Sequence, residues 1–135
     1  MSDEKFQFEL VAPEKLILSR SVAMVTVPGG EGEYGVLAGH APMITTVKPG
    51  VIEVFDSKNG TPSERFFVAY GFAEVTEKRC TILAEDAVTV AELNRGALQS
   101  EMTALSEQLA NASEEDRQAL QTKQEILTAK ILAAA

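Results

Sequence analysis

The chain has no tryptophan, one cysteine and one histidine among its 135 residues. Cys80 alone cannot form an intramolecular disulfide, so the fold does not depend on one, and a reducing compartment is the easier reading. Cys80 and His40 together are too few for a zinc centre with its usual Cys/His majority, and no metal or cofactor is expected. Basic residues are scarce as well, 12 against 20 acidic ones, for a net charge of −8. Such a surface repels phosphate, which argues against nucleic-acid partners, and it offers no polybasic patch to anionic lipid. No apolar run approaches the roughly 20 residues that span a bilayer. The acidic start, Met1-Ser2-Asp3-Glu4-Lys5, is unlike a signal peptide or a transit sequence.

What is present is globular: 45% hydrophobic and 24% charged residues, at a length suited to one domain or a small domain with an appendage. The composition changes abruptly near residue 87. All five prolines, every Phe and Tyr, and every glycine except Gly96 come before it, whereas the last 49 residues hold eleven alanines. Aromatics and turn formers favour strands, and Ala, Leu, Gln and Glu favour helix. The expected organisation is therefore a β domain over residues 1–87 and a helical domain over 88–135.

In the first part, Phe6, Phe8 and Leu10 alternate with polar residues, as in a half-buried strand. Val22 to Val27 is a β-branched run ended by Pro28-Gly29-Gly30. Val51 to Phe55, Arg65 to Tyr70 and Cys80 to Ala84 are further strands. Asn59-Gly60 marks a hairpin turn, and Thr76 to Arg79 another. Short strands at this spacing predict an antiparallel β-sandwich or flattened barrel. In the second part, Thr89 and Glu92 have the spacing of a capping box, predicting a helix from about Val90. Leu98, Met102, Leu105 and Leu109 make an apolar stripe. Asn111-Ala112-Ser113 breaks it, and Ser113 with Glu114, Glu115 and Asp116 suits a second helix start. Leu120, Leu127 and Ile131 continue the stripe. Two helices of about 20 residues with so short a link form an antiparallel hairpin, and one narrow stripe per helix predicts a weak hold on the β part.

No motif supports catalysis, and no catalytic residue is assigned. Gly30-Glu31-Gly32-Glu33-Tyr34-Gly35 matches Gly-x-Gly-x-x-Gly. Pro42 arrives before any helix can follow, and Glu31 and Glu33 would face the pyrophosphate, so a glycine-rich turn is the better reading. Cys80 opens an alternating strand, the position of a structural thiol. His40, between Gly39 and Ala41-Pro42, is either a turn-stabilising imidazole or a partner contact.

The segment from Val27-Pro28-Gly29-Gly30-Glu31-Gly32-Glu33-Tyr34-Gly35-Val36 through Leu37-Ala38-Gly39-His40-Ala41-Pro42-Met43-Ile44-Thr45 resembles the signature of the ε subunit of bacterial F-type ATP synthases. Lys48-Pro49-Gly50, Phe67 to Val75, and Thr81 to Glu85 are similar to that family too, and so is the order of strands before an Ala-rich hairpin. The resemblance covers nearly the whole chain. It implies a sandwich of about ten strands followed by two antiparallel helices, in a non-catalytic subunit of the rotating central stalk. Such a subunit links the γ subunit to the c-ring, so that proton flow drives ATP synthesis. It lies at the cytoplasmic face of the bacterial inner membrane, associated with the membrane only through the complex.

By the same resemblance, Glu31 and Glu33 face polar loops of the c-ring, and His40, Ala41, Pro42 and Met43 face γ. The hairpin could extend toward the α and β subunits and regulate hydrolysis. Glu92 and Arg95 fall where some family members bind ATP through [Ile/Leu]-Asp-x-x-Arg-Ala. Here Ala91-Glu92-Leu93-Asn94-Arg95-Gly96 keeps only the arginine, which predicts weak ATP binding or none. A soluble nucleotide sensor built on the hairpin and a free-standing β-sandwich adaptor are the competing classes.

Overall fold

The computed structural model describes residues 4–134. Met1, Ser2 and Asp3, on which part of the leader-sequence reading rests, lie outside the described residues. Eight strands come first: β1 (Phe6–Ala12), β2 (Lys15–Val22), β3 (Met24–Gly29), β4 (Gly32–Leu37), β5 (Met43–Val47), β6 (Gly50–Phe55), β7 (Glu64–Val75) and β8 (Arg79–Thr89). A 3-10 turn at Val90–Glu92 leads to helices α1 (Arg95–Ala110) and α2 (Glu114–Ala133). The chain divides into two compact units, one ending at Thr89 and one beginning at Val90.

The strand order is β2-β1-β8-β7-β5-β3-β4, with β6 also pairing both β3 and β7. Neighbouring pairs are antiparallel except β1 with β8. Strands β5 and β6 act as one strand interrupted at Lys48-Pro49. Val47 faces Gly71 and Gly50 faces Val68, three steps on along one strand and three back along the other, so the register against β7 never slips. Pro49 has no N–H to give to the ladder, which accounts for the break. From β2 to β3 the chain passes with only Ala23 between, and the Ala23 N–H donates to the Phe55 carbonyl at 2.8 Å.

Every strand contributes to one core. Phe8, Leu10, Val22, Val25, Val36, Val47, Ile52, Val68, Val75 and Ile82 are all within 2% of complete burial. Each such side chain contributes about 1.5–3 kcal/mol by leaving water. Its existence follows from the period-2 pattern that β1, β3 and β8 carry in sequence. Eight strands are close to the expected count of about ten, and the two longest, β7 and β8 with 12 and 11 residues, pair with each other from Phe66 opposite Thr89 to Val75 opposite Cys80. Along β7 the inward positions change from even (Phe66, Val68) to odd (Ala73, Val75). The slip occurs at Tyr70 (φ 51°) and Gly71 (φ 158°). Of Gly30 to Gly35, read from sequence as a glycine-rich turn, all but the first two residues belong to strand β4. Only Gly30 and Glu31 form the turn, and Gly35 sits in a regular ladder opposite Thr26. Two glycines in six residues hid the strand, because glycine packs nothing and has low strand propensity.

At one rim Arg20 of β2 is paired with Phe8 and reaches across to the connection between β6 and β7. Its guanidinium donates to Asp56 Oδ1 at 2.5 Å, to Glu64 Oε1 at 2.9 Å and to Ser63 Oγ at 2.9 Å. The hydrogen bond from Arg20, with its positive charge, holds the Asp56 carboxyl below its ordinary value of 3.8. A depressed carboxyl stabilises the fold above its unfolded value and loses that contribution as pH falls through the folded one. Arg20→Met is therefore expected to lower the urea midpoint at neutral pH, and the gap between variant and parent should close as pH falls below 3.8 and through the lower folded value. An equal gap at acid and neutral pH would show that Arg20 acts through its stem alone.

In the helical unit the capping box expected at Thr89 and Glu92 is absent. Thr89 is the last residue of β8, paired with Phe66, and Glu92 lies in the 3-10 turn. Asn94 caps α1 instead, its Oδ1 accepting from the Ala97 N–H at 3.0 Å. The ladder with β7 extends β8 past the local capping signal, so α1 has 16 residues, about 24 Å, rather than about 20. Ser113 does cap α2, and Glu114, Glu115 and Asp116 occupy its first turn. Leu98, Leu105 and Leu127 are buried between the helices, with Met102, Leu109, Leu120 and Ile131 packed around them.

Candidate docking surface

The β3–β4 hairpin presents its tip, Gly30-Glu31, beside the end of β5, where Gly29 faces Val47. Gly32 has φ 138°, which the tight turn requires and which L side chains rarely adopt. Glu31 and Glu33 are both exposed; Glu33 pairs with Pro28 on the outward face of β4. Between the tip, β5 and the loop before β5 lies an open groove of about 620 Å³. Glu31, Glu33, Tyr34, His40, Met43 and Thr45 line it, along with neighbouring backbone. Tyr34 bridges to β5, its hydroxyl 2.5 Å from Thr45 Oγ1. Burial raises the Tyr34 phenol above its ordinary value, so it remains a neutral hydrogen-bonding group.

The loop carrying His40 is tied down at its base. The His40 N–H donates to the Leu37 carbonyl at 3.1 Å and the Gly39 N–H to the Glu77 carbonyl at 2.8 Å. His40 Nδ1 lies 2.7 Å from the Ala41 carbonyl oxygen. A carbonyl only accepts, so Nδ1 carries a proton and donates. The imidazole thus braces its own turn.

The structure brings Glu31, Glu33, His40 and Met43 to one groove, although the sequence reading assigned them to two partners. Ala41 and Pro42 are exposed beside it. Met43 turns inward and packs against the core, whereas Ile44 next to it is 70% exposed. Glu92 and Arg95 are exposed in the helical unit, on the 3-10 turn and the first position of α1, with the α1 cap Asn94 between them.

A second feature was not read from the sequence. Leu16, Val11, Leu83, Phe72 and Thr46 are successive cross-strand partners on β2, β1, β8, β7 and β5. They form one transverse row on the outward face, and Ile44 lies two residues from its end. Leu16, Phe72 and Leu83 are each more than half exposed. The adjoining row holds Glu9, Thr81 and Glu74, and Glu85 follows Leu83 on the other side. An apolar line edged with carboxylates suits a partner with an apolar ridge and basic flanks. The signal was available: Ile82-Leu83-Ala84 and Gly71-Phe72-Ala73 are apolar at outward as well as inward positions, as in a strand that is covered on both faces.

Burial pushes the Cys80 thiol up to about 12, so it stays protonated and inert. Among the described residues no three His, Cys, Asp or Glu side chains are grouped to hold a metal ion.

Fold and surface together define a chain of one β-sandwich unit and one helical-hairpin unit, with an exposed apolar row and an acidic turn on the sandwich. Residues 5–90 match the family described as ATP synthase, Delta/Epsilon chain, beta-sandwich domain, and the chain belongs to that family. It is similar to the ATP synthase epsilon chain of Rhodospirillum centenum, 62% identical over 84 residues that cover 62% of this chain and 58% of that one. The epsilon chain of Paramagnetospirillum magneticum is 61% identical over 90 residues, 67% and 66% of the two chains. That of Parvibaculum lavamentivorans is 50% identical over 99 residues, 73% and 74%. The chain thus spans less than two thirds of the length of the first two relatives. Among solved structures, it is similar to a chain of the Euglena gracilis mitochondrial ATP synthase OSCP/F1/c-ring assembly, with a TM-score of 0.85 and 25% identity over all of this chain and 84% of that one. A chain of the Tetrahymena thermophila mitochondrial ATP synthase central stalk and c-ring shares the fold, with a TM-score of 0.66 and 15% identity over the full length of both.

Proposed function

We propose that this chain is a non-catalytic ε subunit in the central stalk of an F-type ATP synthase, joining γ to the c-ring so that proton flow is coupled to ATP synthesis. The observation that carries the reading is the placement of two unlike contact features at one end and one face of a sandwich that belongs to this family. The exposed apolar row of Leu16, Leu83 and Phe72 suits a lasting protein contact, here with γ, extended by Ile44 and by His40, Ala41, Pro42 and Met43. The exposed acids Glu31 and Glu33 suit pairing with basic c-ring loops that turn together with this subunit. No helix among the described residues is long and apolar enough to cross a membrane. Attachment at the cytoplasmic face of a bacterial inner membrane then goes through the complex. The hairpin, by extending toward the α and β subunits, restrains hydrolysis.

Charge reversal at the hairpin tip tests this. Glu33→Lys leaves the fold intact, because an exposed charge contributes little to stability. In vesicles containing the reconstituted synthase it is expected to lower proton pumping per ATP hydrolysed, since attraction to a basic loop becomes repulsion. Full pumping in the variant would remove Glu33 from the rotor contact.

A further inference from the structure

The hairpin tip that carries Glu31 and Glu33 contains two glycines and would swing freely if left to its own backbone. Two kinds of contact prevent this. Along the backbone, the Gly30 N–H donates to the Thr46 carbonyl at 3.1 Å. From the side, the Tyr34 ring lies against Gly29 so closely that a Cβ on Gly29 would stand 2.8 Å from Tyr34 Cε1. The ring thereby runs along the strand toward the tip, and its hydroxyl meets Thr45 on β5 at 2.5 Å. Thr45 is next to Ile44, the most exposed apolar side chain of β5. One phenol therefore spans from the strand bearing the acids to the strand bearing the apolar contact.

We propose that Tyr34 is a positioning residue for the docking surface: its ring over Gly29 and its hydroxyl on Thr45 fix the Glu31–Glu33 tip to β5, so that the acidic and apolar contacts move as one body. The inference rests on the rotor reading given above. Force passing between a ring-facing tip and a γ-facing strand is lost wherever the connection is soft. A two-glycine turn is soft, and the Tyr34–Thr45 bridge removes that softness without adding to either interface.

The bridge is tested first in the full chain alone. Tyr34→Phe keeps the ring and removes the hydroxyl; Thr45→Val removes the other end. Each is expected to speed amide exchange at Gly30 about fivefold, the size of one lost hydrogen bond. The double variant should exchange no faster than the singles, because all three lack the same bond. Thr45→Ser should keep the parent rate, and exchange in β7 and β8 should not change in any of them. In the reconstituted synthase, Tyr34→Phe and Thr45→Val should lower protons pumped per ATP hydrolysed, and Thr45→Ser should not. Unchanged exchange at Gly30 overturns the bridge. Faster exchange with full pumping, in a synthase that Glu33→Lys does uncouple, overturns the positioning role and leaves the rotor reading standing. Full pumping in Glu33→Lys as well overturns the rotor reading and the positioning role with it.

Discussion

Replacing Gly71 with alanine is expected to lower the melting temperature by roughly 10–20 °C, the shift that about 3 kcal/mol produces in a domain of this size. Gly71 lies where β7 changes the parity of its inward side chains, directly after Tyr70 with its φ of 51°. A Cβ built on Gly71 falls onto the Leu83 carbonyl oxygen and stands 2.9 Å from Ala84 Cα. Both neighbours are backbone atoms of β8, which is paired with β7 on either side of the bend. No rotamer change relieves such a contact; a strand has to move, and with it the core residues Ile82 and Ala84. Gly96→Ala is the control. A Cβ there meets only Asn94 Oδ1, at 3.5 Å. Alanine also favours helix over glycine by about 1 kcal/mol, so the melt should stay level or rise. A Gly71→Ala melt as high as the parent's would show that β8 yields at this point and that the bend does not depend on glycine.

Phe72→Glu is expected to weaken binding to γ about 100-fold while leaving the melt nearly unchanged, since buried aromatic anchors dominate interfaces. Phe72 is 57% exposed in the chain by itself, so folding gains little from it. It sits mid-row, with Leu83 on one side and Thr46 on the other. A carboxylate there interrupts the apolar line and joins Glu74 and Glu85, raising the local negative charge. Leu83→Glu should act alike, and Thr61→Glu, exposed on the connection between β6 and β7, should not. The measurement is titration of γ with each variant, with thermal melts alongside. Full affinity in both Phe72→Glu and Leu83→Glu would take the row out of the interface and return the γ contact to His40 and its neighbours alone.

Much of this protein was determined by local sequence. Alternation in Phe6 to Leu10, the loss of proline and aromatics after residue 87, and Ser113 ahead of three acids each reflect short-range physics. Side-chain period, backbone restriction and helix-end charge act within a few residues. The acids at Glu31 and Glu33 and the lone His40 stood out in the same way, because turn composition is local. Tertiary structure decided the rest. The start of α1 moved from Val90 to Arg95 because pairing of β8 with Phe66 outweighed a capping box. Strand β4 formed despite two glycines because Val25 and Val27 of β3 were already placed to pair with it. The apolar row of Leu16, Val11, Leu83 and Phe72 joins residues as far apart in sequence as Val11 and Leu83 only through register, since β1 lies parallel to β8 and each step crosses to another strand. The Tyr34–Thr45 bridge likewise depends on β3 lying between β4 and β5. Periodicity determines which face of its own strand a residue occupies; which residues share that face across strands is set by pairing, and pairing is settled by the core as a whole.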